Sequence, residues 1–99
     1  MQVTGDYIIS TLRKDKPTLE KELGVNALAL FGSYAKNKQN EDSDIDLLLE
    51  QKEVDYIKLV ATLLFIQKKF PGKKVQLTRK GPHLSQKFLT SIQRDLIYV

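Results

Sequence analysis

Residues 30–49 read LFGSYAKNKQNEDSDIDLLL, and this stretch decides the fold. One short apolar run, Ala27 to Phe31, ends at Gly32-Ser33, and a second, Ile45 to Leu49, begins directly after Asp44. Apolar runs of this length that are bounded by glycine or acidic residues are typical of buried strands. The stretch therefore predicts two strands, with a glycine–serine pair after the first and an Asp-x-Asp at the start of the second.

Helical patterns surround these two strands. Apolar residues at helical spacing, together with proline and glycine stops, predict four helices and one further strand. The predicted helices are Asp6 to Lys14, Pro17 to Leu23, Val54 to Phe70 and Leu84 to Leu96, and the third strand is Lys74 to Thr78. The order ααββαβα predicts an α/β (α+β) fold, a small mixed sheet backed by helices with a crossover between strands two and three. Ile92 and Leu96 are expected in the core.

The Asp-x-Asp sequence places two carboxylates on one side of a strand. Side chains alternate along a strand, so Asp44 and Asp46 leave the same face about 6.6 Å apart along the backbone. Two neighbouring anions repel unless a cation lies between them, and oxygen ligands of this kind suit Mg²⁺ completed by phosphate oxygens. The alternative is a solvated strand end with two harmless acids.

The glycine–serine pair offers a place for phosphate. Gly32 lets a ligand approach the backbone where a Cβ would clash. Ser33 is expected to cap a short helix through Tyr34 and Ala35, which would aim N–H groups and a hydroxyl at an anion. The alternative is an ordinary helix cap. Tyr34 is expected either to stack on a base or to pack beside the phosphate loop, and packing is favoured. The glycine–serine pair and the Asp-x-Asp are expected at the ends of adjacent strands. One triphosphate could therefore contact both.

The composition limits the number of domains and the kinds of site that this chain can form. The 99 residues predict a single domain over 1–99. With no cysteine and one histidine, disulfide frameworks, thiol nucleophiles and multi-histidine metal sites are excluded. Sixteen Lys and Arg against twelve Asp and Glu give a net charge of +4. Residues 56–94 carry nine basic side chains and no acid, so this segment attracts polyanions such as nucleotide phosphates, RNA or an acidic protein surface.

FGSYA followed by SDIDLLL resembles the minimal nucleotidyltransferases (MNT) of the DNA polymerase beta-like superfamily, and the resemblance covers most of the chain. It implies that Gly32 and Ser33 hold the β- and γ-phosphates of ATP or another NTP, and that Asp44 and Asp46 are the catalytic ligands of one or two Mg²⁺ ions. An acceptor hydroxyl then attacks the α-phosphate, NMP (AMP from ATP) is transferred, and pyrophosphate leaves. The resemblance also implies an antitoxin role, in which AMP is transferred to a tyrosine of a small helical HEPN toxin.

Two positions depart from the family pattern. Lys36-Asn37 stands where the family has Arg-Gly, so Lys36 keeps a cation that would contact the nucleotide, whereas the flexible turn is expected to be lost. Gln76 stands where the family has a third carboxylate, and an amide supplies no charge. Three outcomes stay open: slow catalysis, rescue by Glu50 or by a partner's group, or a degenerate binding module that neutralises a partner by contact.

The N-terminus and the length of the apolar runs bear on where the protein is located and on whether it spans a membrane. The N-terminus has no basic start followed by an apolar run, so the sequence predicts a cytoplasmic protein. The longest mostly apolar stretch, Leu59 to Ile66, is far shorter than the ~20 residues of a membrane span. Nucleic-acid binding through the basic segment is a weaker alternative, because no RNP-like aromatic motif or GXXG loop accompanies the lysines.

Overall fold

The computed structural model describes residues 3–53 and 55–99. Its elements follow the predicted order, with one short strand added at the end. They are α1 (Gly5–Lys14), α2 (Lys16–Leu23), β1 (Val25–Phe31), β2 (Ile45–Gln51), α3 (Tyr56–Lys69), β3 (Val75–Arg79), α4 (Gln86–Gln93) and β4 (Ile97–Tyr98). The α/β prediction is confirmed. The predicted helix start at Val54 lies outside the described residues.

Local side-chain chemistry explains where the helices begin and end. Thr4, Asp55 and Ser85 cap α1, α3 and α4 by accepting backbone N–H groups of the first turn. At the end of α2, Gly24 adopts φ +65°, the left-handed conformation that glycine reaches without strain. Within residues 3–53 and 55–99, no helix is both long and apolar enough to cross a membrane.

The sheet is mixed, with strand order β3-β2-β1-β4. β1 pairs antiparallel with β2, so the end of β1 and the start of β2 lie at the same edge. β2 pairs parallel with β3, and α3 makes the crossover between them. As a result, the start of β3 also lies at that edge.

The two faces of the sheet have different roles. Leu47 and Leu49 of β2 point to the face covered by α1–α3, where they join a buried cluster with Ile8, Leu12 and Ile66. Because side chains alternate along a strand, Asp46 and Leu48 point to the opposite face. α4 lies on that opposite face, where the Phe88 ring contacts Phe31 edge-to-face at 5.9 Å.

The C-terminal region differs most from the prediction. The helix predicted from Leu84 to Leu96 is shorter at both ends, because Ser85 is the N-cap and the chain turns after Gln93. The residues beyond form β4, which pairs with Ala29 and Leu30 of β1. Ile92 and Leu96 are half-buried and lie outside the main cluster, so their predicted place in the core is wrong.

Candidate active site

The glycine after β1 lies directly against the second aspartate. Phe31 and Asp46 are register partners across β1 and β2, which places Gly32 beside the Asp46 side chain. Gly32 has φ +78°, and a Cβ built there would overlap the Oδ2 of Asp46. Both the backbone conformation and the available space therefore require glycine. The predicted meeting of the two motifs at one sheet edge is present.

Gln76 lies beside both aspartates. It is the register partner of Asp46 in the parallel β2–β3 pair, and its Nε2 donates a 2.9 Å hydrogen bond to Oδ2 of Asp44. The backbone N–H of Ile45 also donates to the Lys74 carbonyl at 2.9 Å, which fixes the two strand starts next to each other. Gln76 thus occupies the position at which the resemblance implies a third acid.

The segment after Gly32 forms successive turns instead of the short helix expected from Ser33. The Lys36 N–H donates to the Gly32 carbonyl at 3.2 Å and the Lys38 N–H to the Ser33 carbonyl at 2.9 Å. Asn37 adopts φ +58°, a conformation that asparagine tolerates better than most residues. Asn37 therefore keeps a left-handed turn conformation where the family has glycine, and the expected loss of flexibility stays a prediction.

Tyr34 packs beneath these turns. Only 2% of it is exposed, so it contributes to the core and does not present its ring to a nucleotide base.

Within the described ranges, no protein group bonds to the Ser33 hydroxyl, which leaves it available to a phosphate.

A self-bonded loop precedes Asp44. The Asn40 N–H donates to Ser43 Oγ at 2.9 Å, and the Asp42 N–H donates to Asn40 Oδ1 at 2.8 Å. Lys73 fastens the loop from outside by donating from Nζ to the Glu41 carbonyl at 2.9 Å. These bonds fix the backbone from which Asp44 projects.

Sequence reasoning missed Lys73 as a positioning residue. Its Nζ also lies 5.9 Å from the centre of the Tyr34 ring, so one cation contacts both the Asn40–Ser43 loop and the turns after Gly32. Its position just before the third predicted strand could have indicated this role. The parallel pairing of β2 and β3 brings the start of that strand to the same edge of the sheet as the aspartates.

The two carboxylates repel each other. Partial burial, and secondly the negative charge of Asp44, raise the pKa of Asp46 above its ordinary value of 3.8. A divalent cation between the two groups would relieve both effects. Two carboxylates are a donor set that fits Mg²⁺, which commonly takes substrate phosphate oxygens as further ligands. In the part of the chain that the structure describes, no cluster of three or more His, Cys, Asp or Glu could hold a metal, in keeping with an amide at position 76.

Two charged side chains that the sequence suggested for the site lie near other partners. Lys36, expected to contact the nucleotide, has its Nζ 4.0 Å from Asp95 Oδ2, just beyond α4, and stays about half exposed. Glu50 lies four residues beyond Asp46 on β2, and its Oε1 is 3.8 Å from Lys80 Nζ. A rescue of the missing carboxylate by Glu50 is thus not favoured by this geometry.

Comparison with known proteins identifies a family and a relative. The family described as polymerase beta, nucleotidyltransferase matches residues 13–98. A predicted protein adenylyltransferase of Methanocaldococcus jannaschii is 43% identical over 97 residues, which cover 97% of this chain and 98% of the relative.

Two solved structures share the fold. A crystal structure of a toxin–antitoxin complex with AMP-PNP superposes with a TM-score of 0.64 at 21% identity, over 97% of this chain and 72% of that one. A complex of tri-AMPylated Shewanella oneidensis HEPN toxin with its MNT antitoxin gives 0.55 at 19% identity, over 95% of this chain and 66% of that one. At these identities the likeness concerns the fold alone.

Proposed function

This chain belongs to the polymerase beta nucleotidyltransferase family, and we propose that it transfers AMP from ATP to a hydroxyl group of a partner protein. The observation that carries the proposal is the contact between Gly32 and Asp46 at the shared edge of β1 and β2. It brings a turn suited to phosphate next to a pair of carboxylates suited to a metal ion.

The turns after Gly32 bind the triphosphate. The Gly32 backbone and the Ser33 hydroxyl contact the β- and γ-phosphates, since no side chain at position 32 blocks the approach. Lys36, three residues after Ser33, adds a positive charge. Its long ion pair with Asp95, at 4.0 Å, costs little to exchange for a phosphate contact.

Asp44 and Asp46 hold Mg²⁺ through their carboxylate oxygens. When bound, the ion supplies charge stabilisation on the α-phosphate and on the departing pyrophosphate. Asp46 is fixed by its strand register and by Gly32, and Asp44 by the Asn40–Ser43 loop and the Gln76 amide. A rigid ligand pair of this kind reduces the cost of positioning the reacting phosphate.

The transfer forms a bond between the acceptor oxygen and the α-phosphorus and breaks the bond from that phosphorus to the bridging oxygen of the β-phosphate. Pyrophosphate leaves, and the acceptor gives up its proton. Gln76 cannot accept that proton. The proposal therefore assigns proton removal to water or to a group of the partner, and it predicts slow turnover, since a missing general base typically costs about 10²–10⁴ in rate.

The acceptor in this proposal is a tyrosine of a helical HEPN toxin, so that the chain acts as an antitoxin in the cytoplasm, where ATP and Mg²⁺ are available. Three facts support it. The M. jannaschii relative is named as a predicted protein adenylyltransferase, one solved neighbour in fold is a toxin–antitoxin complex with AMP-PNP, and another holds an AMPylated HEPN toxin.

Incubation with α-labelled ATP, Mg²⁺ and a HEPN-type partner protein tests the proposal. Label is expected on the partner, and Asp44→Asn combined with Asp46→Asn should abolish it. Asp42→Asn, an exposed acid in the preceding loop, is the matched control and should leave transfer intact. Undiminished transfer by the double variant would remove both carboxylates from the mechanism.

A second candidate function is neutralisation of the partner by contact alone, and Gln76 favours it. In that case the complex forms equally well without ATP, and the toxin is inhibited without carrying label. Binding that disappears when nucleotide is removed would count against this candidate.

A further inference from the structure

Gln67 closes the connection between α3 and β3 with three hydrogen bonds from one side chain. Its Nε2 donates to the carbonyls of Phe70 and Lys73, and its Oε1 accepts the backbone N–H of Val75 at 3.0 Å. This N–H points away from β2, and within residues 3–53 and 55–99 no strand lies on that side of β3. Gln67 therefore supplies the partner that a backbone N–H at a sheet edge otherwise lacks.

One peptide group links Gln67 to the strand that carries the aspartates. The Lys74 carbonyl and the Val75 N–H belong to the same planar unit and point in opposite directions. The N–H bonds to Gln67, whereas the carbonyl accepts the backbone N–H of Ile45, the residue between the two aspartates, at 2.9 Å. The orientation of this one peptide unit thus sets the distance from β3 to the start of β2.

The residues on either side of that peptide group also reach the aspartates. Lys73 donates from Nζ to the Glu41 carbonyl at 2.9 Å, which fastens the loop before Asp44. Gln76 donates from Nε2 to Oδ2 of Asp44, also at 2.9 Å. Gln67 fixes the backbone from which both of these side chains project. Three contacts to the region of the aspartates therefore depend on one half-buried amide.

We propose that Gln67 is a positioning residue for the metal site, because it holds residues 73–76 in the conformation that places Asp44 and Asp46 together. Gln67 touches neither the cation nor the nucleotide. The proposal rests on the function proposed above, which assigns a divalent cation to the two carboxylates. Hydrogen bonds that orient metal ligands commonly contribute about 10–100-fold to metal affinity.

Gln51 is the matched control, since it is the same residue type at the other end of the sheet. It is half-buried like Gln67, and its Nε2 donates to the Leu23 carbonyl and to the Thr62 hydroxyl. It ends β2 about 17 Å along the strand from Asp46. Methionine at either position removes side-chain hydrogen bonds and should lower the melting temperature by about 5 °C.

Two backbone N–H groups report on the aspartates without being direct partners of Gln67. The Ile45 N–H bonds to the neighbouring strand, and the Ser43 N–H bonds to the Asn40 carbonyl at 3.1 Å in the loop that Lys73 fastens. We refer to these two as the reporter groups. Their hydrogen exchange in the metal-free chain measures the positioning without nucleotide or AMP transfer.

Gln67→Met should speed exchange of the reporter groups about tenfold relative to the N–H of Leu48, the central residue of β2. That comparison removes the effect of overall unfolding. Gln51→Met should leave the exchange of the reporter groups unchanged relative to Leu48. Equal protection of the reporter groups in the two variants would overturn the proposal.

Mg²⁺ titration with an ATP analogue that cannot be cleaved measures the consequence for the site, at a temperature where both variants are folded. Gln67→Met should weaken Mg²⁺ binding about tenfold, and Gln51→Met by less than about twofold. Gln67→Asn is the milder variant if methionine prevents folding. It keeps the amide but is one methylene too short to reach all three partners, so it should weaken Mg²⁺ binding by a smaller factor.

The two measurements distinguish failure of this proposal from failure of the proposed function. If the unaltered chain binds no Mg²⁺ with the analogue, the proposed function fails, and the exchange rates alone decide whether Gln67 orders the aspartates. If the unaltered chain binds Mg²⁺ and the variants at Gln67 bind it equally well, the metal site stands and the positioning role of Gln67 is refuted. Equal losses from Gln67→Met and Gln51→Met would refute it as well.

Discussion

The side-chain amide of Gln76 donates a 2.9 Å hydrogen bond to Oδ2 of Asp44. Gln76 lies at the start of β3, and Asp44 directly precedes β2, the parallel neighbour of β3. A third carboxylate at this place would add an anion to the site. The amide instead stabilises one of the two anions and leaves the total negative charge at two. In the proposed site, a cation would therefore be held by two carboxylates and the substrate, not by three carboxylates.

The first prediction concerns that amide. Gln76→Asp should tighten Mg²⁺ binding about tenfold, because a third charged oxygen ligand replaces a neutral donor. Mg²⁺ titration in the presence of a non-hydrolysable ATP analogue measures the change. The same substitution should also raise the rate of transfer, since an added carboxylate can accept the acceptor's proton.

Thr78→Asp is the matched control for Gln76→Asp. Position 78 lies on the same strand and the same face but two residues further from the edge, opposite Leu48. It adds an identical charge without reaching the aspartates, and Mg²⁺ affinity should stay close to that of the unaltered chain. Equal gains from both substitutions would show that net charge, not ligation, is responsible.

The second prediction compares two glycines with similar backbone conformations. Gly32 and Gly72 have φ +78° and +85°, so alanine at either position costs about 1–2 kcal/mol of backbone strain. A Cβ at position 72 meets nothing, whereas one at position 32 meets the Asp46 carboxylate. Gly32→Ala should therefore lose nucleotide and Mg²⁺ binding as well as stability, and Gly72→Ala stability alone.

Thermal unfolding and isothermal titration with the ATP analogue separate the two effects. If Gly32→Ala still binds the analogue as tightly as Gly72→Ala, the contact between position 32 and Asp46 does not shape the site.

The third prediction concerns pH and Asp46. Burial and the charge of Asp44 raise the pKa of this carboxyl in the folded chain, so the folded state holds the proton more tightly than the unfolded state does. Without metal, stability should fall as the pH rises from about 3.8 through the raised pKa, and the loss is complete above it. Asp46→Asn removes this loss.

Unfolding of the metal-free protein between pH 3 and pH 7 measures the effect. Asp46→Asn should be more stable than the unaltered chain at pH 7 and equal to it at the acid end, and added Mg²⁺ should stabilise only the unaltered chain. Lower stability of Asp46→Asn at pH 7 would contradict the repulsion between the two carboxylates.

The fourth prediction concerns Lys36. If its ammonium leaves Asp95 to contact phosphate, Lys36→Ala should raise the KM for ATP about three- to tenfold with little change in kcat. Lys38→Ala removes a nearby exposed charge of the same kind and serves as the control. An equal rise in KM for both variants would indicate general electrostatic attraction by the loop.

The pattern of apolar runs was enough to predict the elements that carry the site. Gly32 and the two aspartates are adjacent in space because Gly32 follows the end of β1 and the aspartates lie at the start of its antiparallel neighbour β2, and the sequence order already predicted this. The resemblance to a known family then gave the position of Gln76, which the β2–β3 register bears out.

Other features depend on contacts between distant parts of the chain and could not be seen in the sequence. β4 has two residues, too few for a periodic signal, and it exists only because β1 offers an open edge. The pairing of Lys36 with Asp95 joins positions 59 residues apart. The exposure of Ile57 and Leu64 was hidden for a different reason, since an apolar residue at helical spacing is normally assigned to the core.

A crystal grown with Mn²⁺ and an ATP analogue that cannot be cleaved at the α–β position tests the central claim most directly, because anomalous scattering locates the metal. We expect manganese between the carboxylates of Asp44 and Asp46, with the β- and γ-phosphates on the Gly32–Ser33 turn. Manganese bound elsewhere, or a triphosphate that does not touch this turn, would contradict the proposed site.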